Sequence, residues 1–161
     1  MFSKTCEYAI RATIYIASES SAGKRCGIRD IARKIESPEP FTAKILQRLV
    51  KADIIKSIKG NGGGFEIEKI QLKQIKLDQL VKAIDGNDLF DRCSLGLHDC
   101  SDKQPCPFHH KYKPLRENLK KTLRETSLLD LISEFNTGET FKKKKKICLY
   151  RRQKHPLMKT I

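Results

Sequence analysis

The feature that most constrains the fold is the glycine-rich run GNGGG at residues 60–64, which separates two short apolar segments. Glycine adopts positive φ angles at little steric cost, and a tight hairpin needs such angles. The segments Ile54–Ile58 and Phe65–Ile67 therefore read as a strand and its return. We predict a small antiparallel wing with Lys56 and Lys59 beside the glycine backbone of its tip. Such a tip suits contacts with phosphates or with the minor groove of DNA.

Two amphipathic helices are predicted before this wing. Apolar residues at i, i+3, i+4 and i+7 give the first, between Ile28 and Ile35. Residues 37–40 break it, with Ser37 as the predicted N-cap of a second helix whose first turn holds both prolines and which ends near Ala52. Two helices joined by a tight turn and followed by a wing predict a winged helix-turn-helix, which binds DNA. The alternative is a plain helical pair whose polar face is merely solvated.

The predicted DNA-binding residues lie on the outer face of the second helix and on the wing. Their charged and amide groups suit phosphates and base edges. They are Thr42, Lys44, Gln47, Arg48, Lys51, Lys56, Lys59 and Asn61.

Four further helices are predicted around this unit. Ser3 can N-cap the first, which runs to about Ser20, and another follows Ile75 and stops at Gly86. Pro114 suits the start of a helix whose narrow leucine stripe favours a seam between subunits. Ser127 with Asp130 caps a short final helix. The predicted fold is mainly α with a small β-wing: a winged helix-turn-helix plus a long dimerisation helix.

The chemically distinctive segment is a loop containing Cys93, Cys100, Cys106 and His109. Thiolates are soft ligands suited to iron–sulfur clusters and to zinc. Spacings of six and five residues between the cysteines suit a loop around a multi-atom cluster, whereas structural zinc sites usually use C-x2-C turns, which this loop lacks. A tetrahedral zinc site, a redox thiol switch and incidental cysteines stay open as alternatives, and His110 can replace His109 as the fourth ligand.

Charge and composition restrict the class of protein. The formal net charge is +14, and residues 142–161 contribute nine lysines or arginines and no acid, which predicts a solvated, disordered tail. The sequence contains no apolar run long enough to cross a bilayer and no nucleophile–base pair, so we expect neither a membrane protein nor an enzyme. Grouped cysteines of this kind are typical of a reducing cytoplasm.

Taken in order, several motifs make the chain from Met1 to about Leu131 resemble the Rrf-two (IscR/NsrR-type) family of bacterial winged-helix regulators. The motifs are SKTCEYAIRA at 3–12, DIA at 30–32, AKILQRL at 43–49, SIKG at 57–60 with GGF at 63–65, AIDG at 83–86, and the three-cysteine loop. Two features depart from the family pattern: the six-residue gap between Cys93 and Cys100, where five or fewer is commoner, and the basic tail.

The resemblance implies a homodimer that binds double-stranded DNA, with a long dimerisation helix and, in many members, an iron–sulfur cluster. The three loop cysteines are then cluster ligands, with a fourth from His109 or from Glu7 of the partner subunit. It favours [2Fe–2S] over [4Fe–4S] and a repressor that senses redox state, nitric oxide or iron–sulfur status. The alternatives are a zinc- or thiol-switched regulator and, further off, an iron–sulfur electron carrier.

We divide the chain accordingly into four regions. The expected divisions are a DNA-binding domain at 1–86, a cluster-binding loop at 87–112, a dimerisation helix with a short C-terminal helix at 113–136, and the basic tail at 137–161.

Overall fold

A computed structural model describes residues 2–93, 95–97 and 101–136. The predicted tail therefore lies outside the described residues. The described part is mostly helical with one two-stranded antiparallel sheet, which confirms the predicted fold class. The elements are α1 (Lys4–Ser21), α2 (Ile28–Ile35), α3 (Glu39–Lys51), β1 (Lys56–Ile58), β2 (Gly64–Glu66), α4 (Gln71–Gln74), α5 (Leu77–Asp85), α6 (Asp88–Asp91), α7 (His109–Glu125) and α8 (Leu128–Asn136).

Helix α1 is the centre of the core. Its N-cap is Ser3, whose hydroxyl accepts a hydrogen bond from the Cys6 N–H at 3.1 Å, as the sequence predicted. Alanines and Ile16 on this helix are fully buried, so that α2, α3, α5 and α8 can all pack around it. None of the helices in the described ranges combines the length and apolar composition needed to cross a bilayer.

The two helices of the helix-turn-helix lie where the sequence predicts them, with one difference at the turn. The N-cap of α3 is Pro38, and the predicted cap Ser37 instead has a buried hydroxyl that forms no hydrogen bond within the described residues. Proline fixes φ near the value that a helix start requires, and Pro40 falls in the first turn, where its missing N–H costs little. The predicted cap was therefore wrong by one residue.

The wing is shorter than predicted because isoleucines at its base belong to the core. Ile54 and Ile55 are buried beside the end of α3 and precede the strand. The strands pair antiparallel, with Ser57 opposite Phe65. Phe65 also exchanges two backbone hydrogen bonds with Cys26, at 2.9 and 3.1 Å, which ties the wing to the loop before α2.

Helix α7 begins five residues before the predicted start at Pro114. The turn starts where the His109 N–H bonds to the Cys106 carbonyl at 2.9 Å, and it continues through Pro114, which lies inside the helix. The predicted start was wrong because proline can be accommodated near a helix N-terminus when local hydrogen bonds already set the turn. Helix α8 then packs back onto α1 and α4, and Leu128 and Ile132 join their core.

The start of α8 provides a stability prediction. Ser127 and Asp130 form the predicted reciprocal cap: the Asp130 N–H donates to the Ser127 hydroxyl at 3.2 Å, and the Ser127 N–H donates to the Asp130 carboxylate at 2.8 Å. Ser127→Ala is expected to lower the free energy of unfolding by about 1 kcal/mol at neutral pH. Urea unfolding measures this, with the exposed Ser133→Ala on the same helix as control.

The same cap has a pH signature. The Ser127 hydroxyl and N–H lower the pKa of Asp130 in the folded protein, so its stabilisation is present above the unfolded pKa and is lost as pH falls through the folded pKa. We therefore expect the difference between wild type and Ser127→Ala to narrow at acid pH. A difference that stays constant from pH 7 down to pH 3 would contradict this cap.

Candidate nucleic-acid interface and metal centre

The outer face of α3 is a polar, positively charged surface. Lys44, Gln47 and Lys51 are all exposed on it, while Ile45, Leu46 and Leu49 fix the opposite face in the core. The spacing of three and four residues keeps the exposed side chains on one side of the helix. This surface has the size and chemistry to enter a major groove, since amide and cationic groups can bond to base edges and phosphates.

Thr42 does not belong to this surface. It is fully buried, and its hydroxyl donates to the Pro38 carbonyl at 3.1 Å within the first turn of α3. A side chain without exposed surface cannot reach a base edge, so its predicted DNA contact was wrong. Thr42 instead helps to close the turn between α2 and α3.

Arg48 is exposed in part but already bonded within the protein. Its guanidinium donates to the Ala83 carbonyl at 3.3 Å and to the Ile84 carbonyl. Both acceptors belong to the last turn of α5, where helix carbonyls lack intrahelical partners and a cation is favourable. Arg48 therefore joins α3 to α5, a long-range contact that the helical pattern alone does not indicate.

The wing presents Lys56, Lys59 and Asn61 at the surface, as predicted. Lys56 is paired with Glu68 just beyond β2, and this carboxylate raises the pKa of Lys56. The wing position is also set by Arg25, which sequence reasoning missed. Its guanidinium bonds to the Glu66 carboxylate at 2.6 Å and to the Gly62 carbonyl at 3.3 Å, so it joins the last residue of β2 to the hairpin turn.

The cysteine loop brings two of its predicted ligands together. The Sγ atoms of Cys93 and Cys106 lie 3.8 Å apart. Two thiolates on one tetrahedral metal with metal–sulfur bonds of about 2.3 Å would be separated by about 3.8 Å. The pair therefore fits one metal ion, whether zinc or an iron of a cluster. Cys100 lies outside the described residues.

The surroundings of Cys93 favour its metal-binding form. The side chain is only 6% exposed. Its pKa is lowered, chiefly by the backbone N–H of Leu95 and then by that of Leu97, with smaller contributions from Cys106 and Arg116, while burial opposes the shift. Thiolates are the metal-binding and nucleophilic form of cysteine. Arg116 was not predicted from the sequence.

The predicted fourth ligand, His109, is buried at 2% exposure at the start of α7. Its Nε2 lies 2.7 Å from an Asp102 carboxylate oxygen, and Lys113 bonds to the same carboxylate. The bonds from Lys113 and His109 lower the pKa of Asp102. A carboxylate on one ring nitrogen commonly fixes the tautomer of a metal-binding histidine, so this contact is compatible with the prediction.

The two alternative fourth ligands were His110 and Glu7 of the partner subunit; the ring centre of His110 lies 5.3 Å from that of His109. His110 is exposed, and Glu7 on α1 pairs with Lys4 at 2.8 Å. Within residues 2–93, 95–97 and 101–136, no group of three or more histidine, cysteine or acidic side chains could hold a metal ion. The described part therefore offers a two-thiolate pair with a nearby histidine, and the complete predicted ligand set cannot be assembled from it.

Comparisons with known proteins match most of the chain. The family model Rrf2, described as an iron-dependent transcriptional regulator, matches residues 2–134. An HTH-type transcriptional regulator of Aquifex aeolicus is 30% identical over 135 residues, covering 83% of this chain and 92% of that protein. The HTH-type regulator IscR of Escherichia coli is 25% identical over 126 residues, covering 78% and 76%.

A solved structure has the same fold. That of CymR, titled the global cysteine regulator of B. subtilis, superposes with a TM-score of 0.69 at 18% identity, covering 83% of this chain and 97% of that one. At this level of identity the likeness concerns the fold alone.

Proposed function

Since the chain belongs to the Rrf2 family and is a DNA-binding transcriptional regulator rather than an enzyme, we propose that a cysteine-ligated iron–sulfur cluster controls its binding to an operator. The observation that carries this proposal is the 3.8 Å separation of the Cys93 and Cys106 sulfur atoms in the loop that leads to α7. Cys100 would be the third ligand and His109 the fourth. We favour a [2Fe–2S] cluster, a repressor role and a cytoplasmic location, where thiols stay reduced.

We propose that the active unit is a homodimer formed through α7. Leu115 is 64% exposed and Leu119 is 36% exposed, one helical turn apart, whereas Leu123 packs into the core of its own chain. Exposed leucines at this spacing suit a helix–helix seam with a second copy. The two α3 helices would then enter successive major grooves, about one helical turn of DNA apart.

In this proposal the DNA contacts come from two elements. Lys44, Gln47 and Lys51 on α3 would contact base edges and neighbouring phosphates. Lys59 and Asn61 would contact the backbone from the wing, joined by Lys56 once it exchanges Glu68 for a phosphate. Arg48 would contact the DNA as well, and its bonds to the carbonyls of α5 would hold α3 in position.

The bound cluster would supply a group whose redox state and integrity respond to oxidants, nitric oxide or iron supply. The residues of this chain would transmit the state of the cluster to the DNA-binding unit. The loop from Cys93 to His109 connects the DNA-binding unit to α7, so ligation would join the two ends of this loop and set the relative position of α5 and α7. A change in that position would shift the population of DNA-competent dimers.

Anaerobic purification tests the cluster. Iron and acid-labile sulfide bound to the chain, with visible absorption, are expected for the iron–sulfur form. A colourless protein that contains zinc would favour a zinc-stabilised regulator, for which the 3.8 Å sulfur separation is equally suitable. A colourless protein without metal would refute both and favour a thiol switch. Cluster-loaded protein that binds no DNA at low salt would instead indicate an electron carrier.

The wing contact gives a quantitative prediction. Lys59→Ala is expected to weaken binding to specific and unrelated DNA alike, because the contact is to phosphate. The slope of log affinity against log salt concentration should become shallower by about 1. Fluorescence anisotropy across a salt series measures the slope.

The matched control is Lys121→Ala on α7, whose side chain is 71% exposed and pairs with Glu125. It removes the same charge from a helix outside the two elements proposed to contact DNA, so its slope should equal that of wild type. Equal slopes for the two variants would show that Lys59 does not neutralise a phosphate.

A further inference from the structure

Arg116 on α7 is a buried cation that forms no ion pair with a carboxylate among the described residues. The residue is 6% exposed. One guanidinium nitrogen donates a long hydrogen bond of 3.4 Å to the Arg92 carbonyl, and the guanidinium lies 6.0 Å from the centre of the Tyr112 ring. Its Nε has no hydrogen-bond partner among the described residues. An isolated buried charge is costly, so such a residue needs a negative partner.

Two described carboxylates, one in the loop before α7 and one on α6, pair with lysines of α7. Asp102 bonds to Lys113 at 2.7 Å, and Asp91 lies 3.5 Å from Lys120. Within the part of the chain that the structure describes, Arg116 therefore lacks a bidentate bond to a carboxylate, which is the arrangement expected for an arginine that only holds two helices together.

The geometry places Cys93 beside this cation. The carbonyl that Arg116 contacts belongs to the peptide bond between Arg92 and Cys93, and both Arg116 and Cys93 are buried. The thiolate pair of Cys93 and Cys106 is therefore our candidate for the negative partner of Arg116.

We propose that Arg116 is the counter-charge of the metal centre held by the cysteine loop, an inference that rests on the proposed function. Each thiolate ligand brings one negative charge, and one-electron reduction of a bound cluster adds another. A cation in this buried setting stabilises the more negative form, because the low dielectric strengthens its field. Arg116 also lies on α7, the helix that we propose forms the dimer. A change in the charge of the metal centre would therefore act directly on a residue of that helix.

Replacing the charge should weaken the centre in two measurable ways. Metal-free Arg116→Gln is expected to bind Co²⁺ about tenfold more weakly than wild type, followed anaerobically by sulfur-to-cobalt absorption. In the cluster-loaded variant the equilibrium between oxidised and reduced cluster should shift about tenfold toward the oxidised form. For a one-electron couple this shift lowers the reduction potential by about 59 mV. Spectroelectrochemical titration measures that shift.

Two variants separate charge from structure. Arg124→Gln removes the same charge from the same helix at an exposed position and should match wild type in both measurements. Arg116→Lys keeps the charge without the planar guanidinium, so it should bind Co²⁺ within about twofold of wild type. If Arg116→Gln does not fold by circular dichroism, Arg116→Lys decides, since a loss of cobalt affinity in the folded lysine variant contradicts a role through charge.

The outcomes distinguish this inference from the proposed function. Wild type that binds Co²⁺ and a cluster, with a folded Arg116→Gln that binds both equally well, overturns the role of Arg116 alone. Wild type that binds neither Co²⁺ nor a cluster overturns the metal centre and the counter-charge together. Cys106→Ser is the reference variant that should abolish the cobalt spectrum.

Discussion

Cys93→Ser and Cys106→Ser are each expected to abolish cluster binding, which is the largest effect predicted for this protein. The two sulfur atoms lie 3.8 Å apart, so either substitution removes half of the one thiolate pair that the described residues provide. Loss of an outer partner of a metal ligand already costs about 10–100-fold in affinity, and loss of a ligand should cost more. Iron and sulfide per chain, with the visible spectrum, measure the result. The difference in operator affinity between cluster-loaded and cluster-free protein should disappear as well.

Cys26→Ala is the matched control for these variants. Cys26 is 3% exposed in the core, outside the cysteine loop, and burial raises the pKa of its thiol to about 11, so it stays protonated at neutral pH. Its contact with Phe65 uses backbone atoms, which alanine keeps. Iron content equal to wild type in Cys93→Ser, or an equally large loss in a folded Cys26→Ala, would show that the cysteine loop is not the cluster site.

Gly63→Ala is expected to be the most destabilising single substitution in the wing. A Cβ at this position would lie 2.3 Å from the Ile58 carbonyl oxygen and 2.8 Å from that of Gly60, closer than real Cβ atoms approach. Both obstacles are backbone, so the hairpin would have to open. We expect the free energy of unfolding to fall by about 2–3 kcal/mol, measured by chemical denaturation. DNA affinity should fall with it, because the tip that carries Lys59 would move.

Gly27→Ser is the control variant, because it adds a side chain at a glycine where a Cβ has room. A Cβ there would have its nearest neighbour, an Asp30 carboxylate oxygen, at an ordinary 3.4 Å. Gly27 is the N-cap of α2 and has extended backbone angles, so a serine hydroxyl could cap the helix. The variant should therefore be as stable as wild type or slightly more stable. If Gly63→Ala unfolds at the same denaturant concentration as Gly27→Ser, the hairpin does not have the tight turn described above.

Local rules were enough to predict most of the elements. The cap at Ser3, the apolar stripe of α2, the stop of α5 at Gly86 and the reciprocal cap at Ser127 all depend on residues within one or two helical turns of each other. The predicted helix start was wrong where two neighbouring residues can both serve as the N-cap. Ser37 and Pro38 can each start a helix, and the fixed φ of proline prevailed.

The rest of the candidate site depends on contacts between distant segments. Arg25 meets Glu66 across 41 residues, Arg48 meets Ala83 across 35, and Arg116 meets Arg92 across 24. No periodicity within one helix predicts such partners, since they follow from how the helices pack. The same holds for Thr42, whose polar side chain suggested a DNA contact until its burial placed it inside the turn.

The two backbone bonds between Phe65 and Cys26 also cover one edge of the wing. A two-stranded ribbon ordinarily has two open edges, and each can recruit a foreign strand into an extended aggregate. Here Cys26 already occupies the outer edge of β2. The opposite edge belongs to β1, which spans only three residues and carries the charged Lys56. The wing can therefore be exposed for DNA binding without offering an open strand edge on which an intermolecular sheet could grow.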